Sequence, residues 1–317
     1  MTPLNREGKT VLQLSDSYLE TAVQIEAEIL KRRKQLSLET LIEDLKTILS
    51  NAWKKSIKDL LIRTLRLLQS MTGPVTRDEL LFIEENVSDG LKMPLDEAKR
   101  AQLIDIQEAL FSIGAGEAAK GTGVKIVWNL ADQKTLKVLD TNLMFWIGSY
   151  YDDNLSEGFK ATLQDFFEGG YNRKDLAELM KVHFRELGTK PDHYWNLLAD
   201  HTATKTREIG RVSGYEQAGI KTVRIKAHLD EKTTEVCRRM HDQVIEVTYL
   251  NRQMDKYLAA CETKDKEKIK ASWPWISDAQ AERSLASSKG IKRQIKRGKI
   301  GLPPYHARCR TITVAEF

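Results

Sequence analysis

Thr206-Arg-Glu-Ile-Gly-Arg-Val-Ser-Gly-Tyr-Glu-Gln-Ala-Gly-Ile-Lys-Thr-Val-Arg-Ile-Lys-Ala-His228 is where the chain changes period. The spacing predicts a helix from Tyr194 to Gln217, whereas Lys221 to His228 alternates with period two, as a half-buried strand does. Val244-Ile-Glu-Val-Thr248 and Thr311-Ile-Thr-Val314 read in the same way. The expected fold class is therefore α+β: a mostly helical N-terminal region over 1–190, then a small α+β domain over 191–317 that carries a charged insert at 250–301.

Upstream of the change the pattern is helical throughout. From about Val11 to Gln69 apolar residues recur at three and four, among them Leu45, Leu49, Trp53, Leu60 and Leu61. Ser37 followed by Glu39 offers an approximate start signal, and Met71-Thr-Gly-Pro74 a stop. Thr76 with Glu79 has the form of a capping box. Further helices are expected over Leu95–Ile113, Gln133–Tyr150, Leu155–Phe167 and Arg173–Leu187, with Gly114-Ala-Gly116 and Gly121-Thr-Gly123 marking a loop. Leu143-Met-Phe-Trp-Ile147 is apolar all round, which a buried helix explains. The N-terminal apolar stripe packs either internally or against another protein.

A length of 317 residues with 41% hydrophobic and 30% charged residues describes a globular chain able to bury a core, and excludes a disordered one. Net charge is +5, so an anionic partner depends on how the charge clusters. Three cysteines do not complete a disulfide framework, which predicts folding in a reducing compartment. The N-terminus lacks the basic-then-apolar order of a secretory signal, and no stretch has the apolar length of a membrane span. A cytosolic product with no membrane partner is expected.

The rare residues gather at one place. Cys237 and His241 form C-x3-H, and His306 and Cys309 form H-x2-C in the phrase Leu302-Pro303-Pro304-Tyr305-His306-Ala307-Arg308-Cys309-Arg310. Four apart, Cys237 and His241 would share a face on a helical turn, while the two prolines stiffen the approach of the second pair. Thiolate plus imidazole suits a structural zinc held by Cys237, His241, His306 and Cys309. Two other readings stand beside it. The cysteines are small buried apolar residues and the histidines bond locally; or His241 and His306 form an acid/base pair with Arg308 or Arg310 on a phosphate, as in a metal-free nuclease.

These residues also carry a resemblance. Asp230-Glu-Lys-Thr-Thr-Glu-Val-Cys237-Arg-Arg-Met-His-Asp-Gln-Val-Ile245, answered by Leu302-Pro-Pro-Tyr-His306-Ala-Arg-Cys309-Arg310-Thr311, resembles the C-terminal domain of tailed-phage minor head proteins, the Mu F-like head morphogenesis family. Thr206-Arg207-x3-Arg211-x2-Gly214-Tyr215-x2-Ala218-Gly219 is similar to that family's Arg-bearing helix and Ala-Gly turn, and the likeness extends over about residues 150–317. The family commonly has Asp-Gly where this chain has His241-Asp242, so the pattern does not support His241 as a ligand. The resemblance implies that Asp230, Cys237, Pro303, Pro304, His306, Cys309 and Arg310 form a structural motif fastening the last strand, with no general catalytic activity. It further implies a low-copy head protein acting in procapsid assembly at the portal vertex. Its partners would be portal protein, scaffold or major capsid protein and, in some members, packaged DNA; its location would be the host cytoplasm during assembly, then the procapsid and virion.

Two features of the insert remain. Lys289, Lys292, Arg293, Lys296, Arg297 and Lys299 form a basic run that reads either as a solvated loop or as a non-specific DNA contact, and the latter would make the chain a nucleic-acid-binding module. Trp273-Pro-Trp275 either anchors a partner or packs as a satellite core under the insert. Arg207 and Arg211, on one helix face, are candidates for salt bridges that hold the domain or for phosphate contacts.

Overall fold

Asp96 and Asn129 show how the helices start. The Asp96 carboxylate accepts the Lys99 amide at 2.9 Å, and the Asn129 side chain accepts the Ala131 and Asp132 amides at 2.8 and 3.0 Å, so free N–H groups of each first turn are satisfied locally. The computed structural model describes residues 37–70, 76, 78–79, 82–83, 95–120, 122–151, 161, 173–189 and 192–316. The chain divides into two compact units, Met1–Leu41 and Ile42–Phe317. The helices are α1 (Leu38–Ser70), α2 (Glu97–Ala118), α3 (Leu130–Tyr151), α4 (Arg173–Thr189) and α5 (Asp192–Gln217). There follow β1 (Thr222–Lys226), α6 (Glu235–Met240), β2 (Val244–Glu246), α7 (Val247–Glu262), α8 (Lys266–Ser272), α9 (Asp278–Ser284), α10 (Ser288–Lys296) and β3 (Ile312–Glu316). The α+β layout expected from the sequence is present. The expected helix over Val11–Leu36, the stop at Met71–Pro74 and all but Ala161 of Leu155–Phe167 lie outside the described residues. Among the described residues no helix is long and apolar enough to cross a membrane.

In the first unit, Ser37 accepts the Thr40 amide at 3.1 Å, which is the start signal read from the sequence. In the second, Leu45, Leu49, Trp53 and Leu60 of α1 are all at most 1% exposed, so this part of the apolar stripe packs internally. Thr76 and Glu79 make the two reciprocal bonds of a capping box, at 2.9 and 3.2 Å.

The closest packing is between α2 and α5. A Cβ at Gly114 would stand 1.9 Å from the Arg207 carbonyl oxygen, and one at Gly210 would stand 2.1 Å from that of Phe111. Backbone meets backbone, and only glycine allows it. This corrects the loop expected at Gly114-Ala-Gly116: both glycines lie inside α2, which runs to Ala118. Gly114 is in the helix to admit a neighbour.

The sheet is antiparallel with order β2-β1-β3, pairing Val223 with Ile245 and with Ala315. Val223 and Ile225 are fully buried, as the alternation predicted. They join one core with Tyr215, Val236, Cys237, Met240 and Ile245, to which α2 adds Phe111 and α3 adds Leu136 and Leu139. The helical part and the small sheet share that core.

The strand expected over Val244–Thr248 ends at Glu246, where α7 takes over. Val247, Leu250, Gln253, Tyr257, Ala260 and Cys261 are buried at helical spacing, and that tertiary burial outweighs local β-propensity. The basic run, which the sequence leaves as either a solvated loop or a DNA contact, is helical from Lys289 to Lys296 and forms α10. Ile291 and Ile295, one turn apart, are 4% and 7% exposed and seat the helix on the core. The helix closes with a Schellman motif: Lys299 donates to Gln294 at 3.2 Å, Gly298 donates to Ile295 at 2.8 Å, and Gly298 takes φ +61°.

The glycine packing makes a paired prediction. Gly210→Ala forces a methyl group into the Phe111 backbone and should cost at least about 3 kcal/mol in urea unfolding. Gly116→Ala has nothing within 4 Å to meet and should stabilise the protein by about 0.5–1 kcal/mol.

Candidate metal centre

The first half of the site is placed by a turn and a short helix. Asp230 accepts the Lys232 amide at 3.0 Å and the Thr233 hydroxyl at 2.9 Å, tightening the turn that leads into α6. Asp278, from α9 within the insert, accepts the Glu235 amide at 2.8 Å and so caps α6. Cys237 then falls in the first turns of α6, on its buried face.

The second half is held by its flanks. The Pro303-Pro304 peptide bond is cis, and Tyr305 is buried with its hydroxyl donating to the Gly301 carbonyl at 3.0 Å. Arg308 adopts φ +56°, and its N–H donates to the Asp200 carboxylate of α5 at 3.0 Å. Burial pushes the Asp200 carboxyl above its usual range, and the Arg308 amide opposes the shift. The Trp273 indole N–H donates to the Pro304 carbonyl at 3.2 Å, and its ring is buried in the same core as the sheet rather than in a satellite under the insert. Trp275 is 47% exposed.

These flanks bring Cys237, His306 and Cys309 together, with one ligand atom of each lying within 4.8 Å of the others. The Cys237 sulfur is 3.2 Å from His306 Nε2 and 3.6 Å from the Cys309 sulfur, and the Thr311 hydroxyl donates to it at 3.1 Å. All three cysteines of the chain are free thiols. Cys309 is held well below the ordinary thiol range by its hydrogen bond with Cys237, with His306 adding to the effect. Cys237 is pushed up by the same bond and by burial. The bond to Cys309 also raises the His306 pKa. Without metal, the hydrogen bond between the two sulfurs favours the thiolate at Cys309 and the proton on Cys237, and the bond to Cys309 favours the protonated form of His306.

The donor set also fits zinc. Bonds of ~2.3 Å to sulfur and ~2.0 Å to nitrogen in a tetrahedron place sulfur–nitrogen and sulfur–sulfur pairs roughly 3.5–3.8 Å apart, within a few tenths of an ångström of the 3.2 and 3.6 Å between Cys237 and its two partners. His306 Nδ1 lies 2.7 Å from the Ala307 carbonyl, a bond that fixes the ring and directs Nε2 at the sulfurs, as an outer partner of a metal-bound histidine does. Three protein ligands leave the fourth position to solvent or another group.

His241 is not among the three. α6 ends at Met240, and His241 caps it with ψ 135°, so the shared helical face expected of residues four apart is lost. Its Nδ1 accepts the Ala227 N–H at 3.1 Å instead. The turn at Asp242 has φ +61°, a left-handed conformation that glycine adopts freely and that here is taken by an aspartate. Asp230 and Arg310 do meet: the guanidinium bonds the carboxylate and holds it at a pKa of about 2, with the Thr233 hydroxyl helping. Arg308 contributes its backbone and leaves an exposed side chain.

Two groups are placed without local sequence signal. Asp200 and Asp278 steady the two halves from α5 and α9. An ionic cluster that runs from the exposed Glu117 to the buried Arg211 and Glu208 holds β3: Glu117 accepts Arg207 at 2.7 and 2.9 Å and Arg211 at 2.5 Å, while Arg211 also lies 3.3 Å from Glu208. Thr313 of β3 donates its hydroxyl to Glu208 at 2.8 Å, accepts Tyr215 at 3.1 Å and gives its carbonyl to Arg211. Arg207 and Arg211 thus form the salt bridges that were one of their two expected roles.

On α10, Lys289, Lys292, Arg293, Lys296 and Arg297 line one shallow surface groove with Ser287 and Ser288. They and Lys299 are exposed, and none forms an ion pair among the described residues. Lys256 of α7 donates to the Arg297 carbonyl at 2.7 Å, adding a further cation where α10 ends. Comparison with protein-family models, curated proteins and solved structures finds no match for the chain.

Grown with zinc and purified without chelator, the wild-type chain should carry about one zinc per chain, because binding and the folded clasp are linked. Cys309→Ser and His306→Ala should each be substoichiometric by elemental analysis, whereas His241→Ala should keep its metal.

Proposed function

We propose that this protein is a minor head protein of a tailed phage or prophage. It acts in procapsid assembly at the portal vertex through contacts with portal protein, scaffold or major capsid protein. It is made in the host cytoplasm and carried into the procapsid and virion. The observation that carries this reading is the meeting of the two halves that resemble the head morphogenesis family. Cys237 with His306 and Cys309, and Asp230 with Arg310, are paired across the whole insert. Such a closure suits a structural domain whose insert can vary while the fastening stays. Mass spectrometry of particles from an induced lysate should find the chain at low copy in procapsids and virions. Its absence from both would overturn the reading.

A second observation favours contact with packaged DNA. Four cations on one short helix, and Arg297 at its end, have no acidic partner among the described residues and are placed to neutralise phosphates; no base-reading element accompanies them there, so the contact is non-specific. Duplex DNA should be retarded by micromolar protein in a salt-dependent way. The triple change Lys292→Glu, Arg293→Glu and Lys296→Glu should flatten the log–log salt slope by about 2.7, at ~0.9 per phosphate. Salt-insensitive retardation, or none, would remove the DNA contact. Cleavage of that DNA, lost in His306→Ala, would replace the structural reading with the nuclease one.

A further inference from the structure

A cavity of about 680 Å³ opens among α3, α5, α7 and α8, away from the cysteine–histidine trio. Its walls are apolar and aromatic, with Leu143, Trp146, Tyr194, Tyr257, Trp273 and Trp275 among them. Of the two lysines in the lining, Lys270 is exposed and ion-paired, whereas Lys205 of α5 is only 5% exposed. Its ammonium lies 4.2 Å from the centre of the Tyr257 ring and 4.8 Å from that of Trp273. The faces of those rings attract a cation without neutralising it. Among the described residues Lys205 has neither a hydrogen bond nor an ion pair.

The surrounding groups leave that charge unanswered. His201, on the same helix, accepts the Trp275 indole N–H at 3.0 Å and is kept neutral by burial. On α7, burial holds Tyr257 and Cys261 in their protonated, uncharged forms. On α8, Glu267 is exposed and already paired with Lys270 at 3.0 Å. From α3, Asn142 donates to the Tyr257 hydroxyl at 3.0 Å, while its buried carbonyl oxygen has no hydrogen-bond partner. The cavity therefore presents one unpaired cation and one unused acceptor inside an aromatic shell. A buried polar group of either kind is costly until something pairs with it.

We propose that this cavity binds a small amphiphilic carboxylate, with its apolar body between the aromatic walls and its carboxylate on the Lys205 ammonium. A donor group on the ligand, where present, meets the Asn142 oxygen. The walls supply affinity through burial, and the single charge supplies orientation. Burial brings the Lys205 pKa down to about 7 in the free protein, so above that pH a carboxylate must recruit a proton to bind.

Calorimetric titration of the full chain with 2-naphthoate and with the isosteric but uncharged 2-naphthamide tests this. Expected is one-to-one binding of the acid, with the amide weaker by at least about tenfold. Lys205→Met keeps the stem, removes a buried unpaired charge and should fold as stably as wild type. It should bind the acid at least about tenfold more weakly and abolish the preference for acid over amide. Wild-type affinity for the acid should fall with pH above about 7, approaching tenfold per unit, whereas the residual affinity of Lys205→Met stays flat. No binding of the acid at millimolar concentration, equal affinity for acid and amide, or unchanged affinity in Lys205→Met would overturn the proposal. The comparison of acid with amide on the wild-type chain decides it without any substitution.

Discussion

Arg211 is the group on which the rest of the second unit depends. It is buried on α5 between Glu117 of α2 and Glu208 of its own helix, and it bonds the Thr313 carbonyl of β3. Those positions are about a hundred residues apart in sequence, so one side chain ties a helical layer to the strand beside β1. Ions taken out of water are stable only when each is answered, and here two carboxylates and the Thr313 carbonyl answer Arg211 while the Thr313 hydroxyl also donates to Glu208. The cluster adds less to net stability than to uniqueness: any other register of β3 would strand a buried charge. With β3 so fixed, Cys309 and Arg310 are delivered to Cys237 and Asp230.

The clasp joins two different kinds of fastening. Asp230 and Arg310 pair at the surface, where water and salt weaken the attraction. Cys237, His306 and Cys309 meet under cover, where Cys237 Sγ lies 3.2 Å from the imidazole and 3.6 Å from the second sulfur. The outer pair sets the position of the chain and the inner trio locks it. Between the two halves the insert folds as four helices of its own. Asp278 and Trp273 reach back from it to the clasp, so the insert supports the closure it interrupts.

How much of this the sequence disclosed depended on whether a signal was local. The alternation at Val223 and Ile225 gave β1 directly, since period two has one physical meaning when one face is buried. Both halves of the clasp could be marked because rare residues stood at fixed spacing. Ile291 and Ile295 already stood one turn apart, but the surrounding charge concealed the helix they seat. Gly114 was read as a break because nothing near it in sequence reveals that the backbone of α5 lies against it. His241 was misjudged by a single residue of helix length, enough to turn a side chain away from a site. Asp200, Asp278 and Glu117 had no local signature, being defined only by what arrives from elsewhere in the chain.

The contact between α2 and α5 has a mechanical meaning as well as a steric one. Helices that meet through long side chains can slip past each other by small rotamer changes, and that layer acts as a lubricant. Here Gly114, Gly210 and Gly214 remove the layer, and the two backbones touch. A push on α2 therefore reaches α5, and through Arg211 the sheet, with almost no compliance, because close-packed interiors transmit strain rather than absorb it. The second unit is built less like a droplet than like a braced joint.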